Sequence, residues 1–170
     1  MRIPITSIAW DGNTHKVKGE IELNIENSID HASSNELGSE THLDGYLTGK
    51  NCSVTLRLAE FDFDTNQMKY PDSVDLQGDG SESGIGASGC VNFYNLAKEL
   101  TVTPKCTGII TGITLWKAVC EEPESTVFAE EDGEFEITMK CYPDQTQTVP
   151  GTFDKEENLF GKINWFVPGN

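Results

Sequence analysis

The chain has 170 residues, which fits one domain able to bury a core without metal or disulfides. Its 28 acids against 12 Lys and Arg give a formal net charge of −16; docking onto nucleic acid through phosphates is excluded, since that requires clustered cations. No apolar run approaches the roughly 20 residues of a membrane span, and the 36% hydrophobic content falls in periodic segments that speak against wholesale disorder.

Ile3, Ile5, Ile8 and Trp10 open the chain as an edge strand or an extended arm over residues 1–10. The first residues, Met1-Arg2-Ile3-Pro4-Ile5, lack the apolar core of a signal peptide, so folding in the cytosol is expected. Asp11-Gly12 is a turn signal. Val17, Ile21, Leu23 and Ile25 alternate with Lys18, Glu20, Glu22 and Asn24, a half-buried strand. Cys52, Val54, Leu56 and Leu58 alternate in the same way. Between these strands lie the 25 residues NSIDHASSNELGSETHLDGYLTGKN, 27–51. Connections in compact domains have a median of about 4–6 residues, and longer structureless ones are functional or disordered. A functional loop is therefore expected here.

After a phase change at Ala59-Glu60-Phe61-Asp62-Phe63, Asp64 is placed to cap a short helix through Lys69, stopped by Pro71. Residues 78–90 are glycine-rich and read as flexible. Phe93, Leu96, Ala97 and Leu100 at i, i+3, i+4 and i+7 predict an amphipathic helix of about three turns. Strands are then expected at Leu100–Thr103, Ile109–Val119, Phe135–Cys141 and Phe160–Val167. Short strands spaced by turns, with one helix, predict a mainly β chain: a β-sandwich with one flanking helix.

No constellation of catalytic type stands out. Gly84-Ile85-Gly86-Ala87-Ser88-Gly89 matches a dinucleotide fingerprint but lacks the preceding strand that such a site needs. Asp75, Gln77, Asp79 and Gly80 echo a calcium loop, with Gly86 where its closing acid belongs. His15, His31 and His42 are the only histidines; His31 and His42 read as exposed loop residues. Cys52, Cys90, Cys106, Cys120 and Cys141 show no CxxC or zinc spacing and read as small buried hydrophobes in a reducing compartment. No pair of carboxylates is singled out for acid–base work, and no cofactor or metal is expected. Trp116 and Phe135 read as core, whereas Trp165 is a candidate contact to a neighbouring subunit. From Val119 to Met139 there are eight acids and no Lys or Arg, either a solvated loop or a lining that repels a polyanion.

The order of these segments resembles the bacteriophage tail tube (major tail) protein family. The likeness rests on GEIELNIE, a long polar loop and NCSVTLRLAEFDF in the front half. In the back half it rests on ITLWKAVCEEPESTVFAEEDGEFEITMKCYPD and LFGKINW. The resemblance implies a barrel-like β-sandwich subunit with extended termini, including residues 150–170. Such subunits assemble into hexameric rings that stack into a hollow virion tube, put together in the host cytoplasm. DNA passes through without specific binding. Further tail proteins are implied as partners: terminator, tape measure, baseplate or distal tail, and sheath where the tail contracts. By analogy residues 27–50 form the stacking loop, with Leu37, Leu43, Tyr46 and Leu47 as contacts, joined by Ile3, Ile5, Ile8 and Trp165. Glu121, Glu122, Glu124, Glu130, Glu131 and Asp132 become candidate lumen acids. The alternatives are a carbohydrate- or protein-binding sandwich module and a capsid decoration or tail-completion protein. A glycan-acting enzyme ranks last.

Overall fold

The structure is a computed structural model describing residues 2–34, 41–60, 62–86, 90–105, 109–123, 135–144 and 159–167, with side chains at 2–6, 31–34 and 41–46 outside the description. The chain is mainly β. Its principal sheet holds β1 (Arg2–Trp10), β2 (Asn13–Lys16), β3 (Glu20–Ser34), β4 (Thr41–Leu58), β7 (Lys98–Pro104), β8 (Ile110–Val119), β9 (Phe135–Cys141) and β10 (Gly161–Trp165). Two short strands, β5 (Val74–Asp75) and β6 (Ser83–Gly84), form a separate hairpin. The helices are α1 (Phe63–Lys69) and α2 (Phe93–Leu96).

The strand order is β10-β8-β7-β1-β3-β4-β9, all antiparallel, with β2 on β1. β9 also pairs back onto β8 through Ala118↔Cys141 and Val119↔Lys140. The sheet therefore closes on itself at that end, which removes the edges that an open sheet leaves there. Inward positions follow the period of two: Ile21 and Leu23 on β3, Val54, Leu56 and Leu58 on β4, Ile137 and Met139 on β9 are all buried. Ile8, Trp10, Leu100, Val102, Ile113 and Leu115 fill the opposite wall. Outward positions of the β4–β9 pair carry cross-strand polar contacts, Arg57–Glu136 at 2.8 Å and Thr55–Thr138 at 3.1 Å.

Three sequence expectations need correction. Residues 27–51 are not one long loop: β3 and β4 stay paired out to Ser34↔Thr41, leaving only 35–40 between them. Polar residues concealed the strands, because the described side chains at 24–30 and 47–50 are open to water on both faces and carry no need for a clean alternation. Residues 1–10 are neither an edge strand nor an arm, since β1 pairs with β3 and β2 along one edge and with β7 along the other. The helix expected around 93–100 is the single turn α2, because β7 begins at Lys98. Leu100 and Ala97 are buried as expected, but Leu100 pairs with Trp10 of β1 and Leu115 of β8. Tertiary pairing outweighed a weak helical pattern.

The remaining elements follow their local chemistry. Asp11 (φ 50°) and Gly12 (φ 85°) form the two-residue turn that joins β1 to β2. Asp62, rather than Asp64, caps α1, accepting from Thr65 N at 2.8 Å in a reciprocal capping box. Part of the glycine-rich stretch is the β5–β6 hairpin. There Asp75 accepts from the backbone N–H groups of Gln77, Gly78 and Gly80, which commits its carboxylate to the turn.

Candidate assembly surface

β3 and β4 are 15 and 18 residues long, but the rest of the sheet holds only their roots. β1 covers Glu20–Glu22 of β3, and β9 covers Cys52–Leu58 of β4. Beyond those residues neither outer edge pairs with another described strand, so among the described residues the two form an arm with no neighbouring strand. An isolated two-stranded ribbon is marginally stable in water.

The arm's inner face continues the face that lines the core. Ile21 and Leu23 are buried, and the same parity next places Ile25 (55% exposed), Asn27 and Ile29 (49% exposed) outside the barrel. Ile29 pairs with Leu47, itself 55% exposed. A bulge near Thr48, whose hydroxyl donates to Ser28 O at 3.0 Å, keeps these two apolar residues in register. The result is a mainly apolar stripe, interrupted by the Asn27–Lys50 pair, that leaves the core and has no cover among the described residues.

At the arm's root the barrel wall is open. β9 closes the seam between β4 and β8 only near Ala118; further along β8 that place is taken by β10, paired to Ile110–Leu115. A cleft of about 420 Å³ lies between β10 and the arm, lined by Leu23, Ile25, Leu47, Ile163 and Phe160 with Lys50 and Lys162 beside them. Past its end, Trp165, Phe166 and Val167 are all more than half exposed.

The expected site residues separate under this geometry. Leu47 lies on the apolar stripe, and Trp165 is exposed at the end of β10. Tyr46 is opposite Asp30, and Leu43 sits at the bulge between the Ala32 and Ser33 pairs; Leu37 lies outside the described residues. Ile3 and Ile5 are opposite Ile21 and Pro104 inside the sheet. Ile8 is 1% exposed and belongs to the core, which removes it from any assembly surface. Sequence reasoning placed Ile25 on the buried face of its strand, where the structure leaves it exposed, and missed Ile29, although its odd-numbered spacing after Ile21, Leu23 and Ile25 was the available signal.

Of the acids, Glu122 is exposed. Glu121 is half-buried: Tyr142 Oη donates to it and Lys140 Nζ lies 3.3 Å away. Glu124, Glu130, Glu131 and Asp132 lie outside the described residues. Tyr142 stacks edge-on against Tyr94 at 6.0 Å, with Lys117 5.1 Å from the Tyr94 ring. This cluster braces the end of β8 against β9.

The other expected chemistries fare as follows. His31 and His42 lie in the β3–β4 ladder rather than in a loop. His15 is buried, and its Nε2 has no hydrogen-bond partner among the described residues. Cys52, Cys120 and Cys141 are buried, and Cys90 is exposed; Cys106 is outside the described residues. Cys52 and Cys141 face each other across β4 and β9. Their mutual hydrogen bond lowers the pKa of Cys52, and the same bond together with burial pushes Cys141 well above the ordinary thiol range. Among the described residues no group of His, Cys, Asp and Glu is arranged to hold a metal ion, and no described helix is long and apolar enough to cross a membrane. Trp116 and Phe135 are only partly buried, with Phe135 packed against the core.

Comparison with known proteins adds little. No protein family matches the sequence, and no curated protein matches it. Among solved structures, a chain from the virion of a native gene transfer agent particle is similar over 95% of both chains, at 11% identity and a TM-score of 0.46.

Proposed function

We propose that the chain is a structural virion subunit that assembles with copies of itself into stacked rings forming a phage tail tube. The observation that carries this reading is the β3–β4 arm, whose apolar stripe and two open edges have no cover among the described residues. A ribbon of that kind is stabilised by lying on another subunit, both by burying Ile29 and Leu47 and by offering strand edges for pairing. Contacts between unlike surfaces that do not close along an axis generate filaments, and closed rings of such subunits stack into a tube. The sequence likeness to tail tube proteins supports the same reading. The exposed Glu122 and its neighbouring acids then serve a lumen from which DNA phosphates are repelled.

The test is electron microscopy of the purified protein beside a variant in which residues 29–48 are replaced by a short turn. The deletion is expected to leave a cooperatively folded subunit, because β4 from Cys52 onward and β3 to Leu23 supply its core residues. It is expected to abolish tubes. Long tubes from the deletion variant would remove the arm's role. A strictly monomeric wild type that binds a glycan would replace the tube reading with the binding-module one.

A further inference from the structure

The cleft beside β10 is apolar within and cationic at its rim, in a chain with only 12 Lys and Arg. Neither Lys50 nor Lys162 forms an ion pair with a described carboxylate. Elsewhere the chain presents the complementary shape. From Tyr70 to Ala97 there is no Lys or Arg, while Asp72, Asp75, Asp79 and Glu82 are all present. This stretch contains the β5–β6 hairpin, which exposes Val74 (58%), Leu76 (62%) and Ile85 (93%). A large aliphatic side chain left that open contributes nothing to its own fold.

The two surfaces lie apart on the molecule. Ile85 sits beside Cys120 and Pro123, just past the C-terminal end of β8, while the cleft lies along its first half, at Ile113 and Leu115. We propose that the cleft receives the β5–β6 hairpin of a second copy of this chain. Val74, Leu76 and Ile85 enter the space walled by Ile25, Phe160 and Ile163, and Asp79 and Glu82 meet Lys50 and Lys162. The contact joins unlike surfaces of identical chains, the arrangement that closes into rings. Opposite charge at its rim fixes register and disfavours like-with-like pairing. It gives a lateral partner within a ring, distinct from the axial role of the distal arm, and it rests on the self-assembly reading above.

The experiment compares sedimentation of wild type, Lys50→Glu/Lys162→Glu, Asp79→Lys/Glu82→Lys, and an equimolar mixture of the two variants. Each double variant alone is expected to lose roughly tenfold or more in association, since like charges then meet across the contact. The mixture is expected to recover, because the reversed cleft of one variant matches the reversed hairpin of the other, while the remaining native cleft and native hairpin still match each other. Ile85→Ser supplies a check free of folding effects: its thermal midpoint should match wild type while its association weakens. Wild-type rings with all variants assembling equally well would overturn the hairpin contact alone. So would variants that fail singly and are not rescued by mixing. A wild type that stays monomeric at high concentration would overturn the self-assembly reading itself.

Discussion

His15 is the residue whose environment its chemistry least explains. It faces Ile8 across β1 and β2, is 6% exposed, and leaves Nε2 without a partner among the described residues. An unsatisfied buried polar atom costs about 1–3 kcal/mol, whereas an apolar side chain of similar size carries no such cost. His15→Leu is therefore expected to raise stability by about 1 kcal/mol in urea unfolding. A loss of that size would mean that the nitrogen has a partner, such as a water. The thiols make a second residue-scale prediction. Reactivity requires an accessible thiolate. Of the four described cysteines only Cys90 should react with a thiol reagent in the native state. Cys141 should stay unmodified until the protein unfolds, since burial and its bond to Cys52 hold it in the thiol form. Rapid labelling of Cys141 in the folded protein would show that the β4–β9 seam opens. Neither environment was legible in the sequence beyond the small size and apolar register of Cys52 and Cys141.

At the scale of elements, what the sequence revealed depended on how many faces a strand buries. β9 and the root of β4 each bury one face, and their alternation marks them without ambiguity. β8 was found from its apolar, β-branched run. Where its side chains are described, at 24–30 and 47–50, the arm buries neither face, and its few apolar residues are diluted by polar ones, so it reads as a loop. α2 and β7 failed for a different reason. Asn92 caps a genuine turn, but the pairing of β7 with both β1 and β8 ends it at Leu96. The apolar cleft was hidden because its walls come from four strands distant in sequence. β10, one of those walls, docks through a glycine. A Cβ on Gly161 would run into the carbonyl oxygen of Thr114 and lie 2.9 Å from Leu115 Cα, both backbone atoms of β8 that cannot swing aside. Gly161→Ala is expected to undock β10, exposing Ile163 and Phe160 while the rest of the barrel stays folded. Hydrogen exchange should then show loss of protection at Lys162–Trp165 and at the β8 residues paired with them. Unchanged protection there would mean that β8 yields more readily than its backbone contacts imply.

At the scale of the whole molecule, charge and assembly pull against each other. A subunit carrying −16 repels its copies over a distance set by the Debye length, about 30 Å at 10 mM salt and about 8 Å at 150 mM. The attractive contacts are shorter in range: apolar burial along Ile25, Ile29 and Leu47, and rim charges that approach closely. Salt screens separated exposed charges more than partly buried pairs. Raising ionic strength from about 10 to about 150 mM should therefore remove more repulsion than attraction, so that assembly speeds up and its critical concentration falls. Light scattering across a salt series reads this directly. Acidification toward the pI of about 4.4 should act in the same direction by neutralising carboxylates. It would also weaken any rim pairing of Asp79 and Glu82 with lysines, so salt is the cleaner variable. Assembly that slows steadily with added salt would show that unlike-charge attraction dominates over the net repulsion, and would shift the driving force from the apolar stripe to the rims.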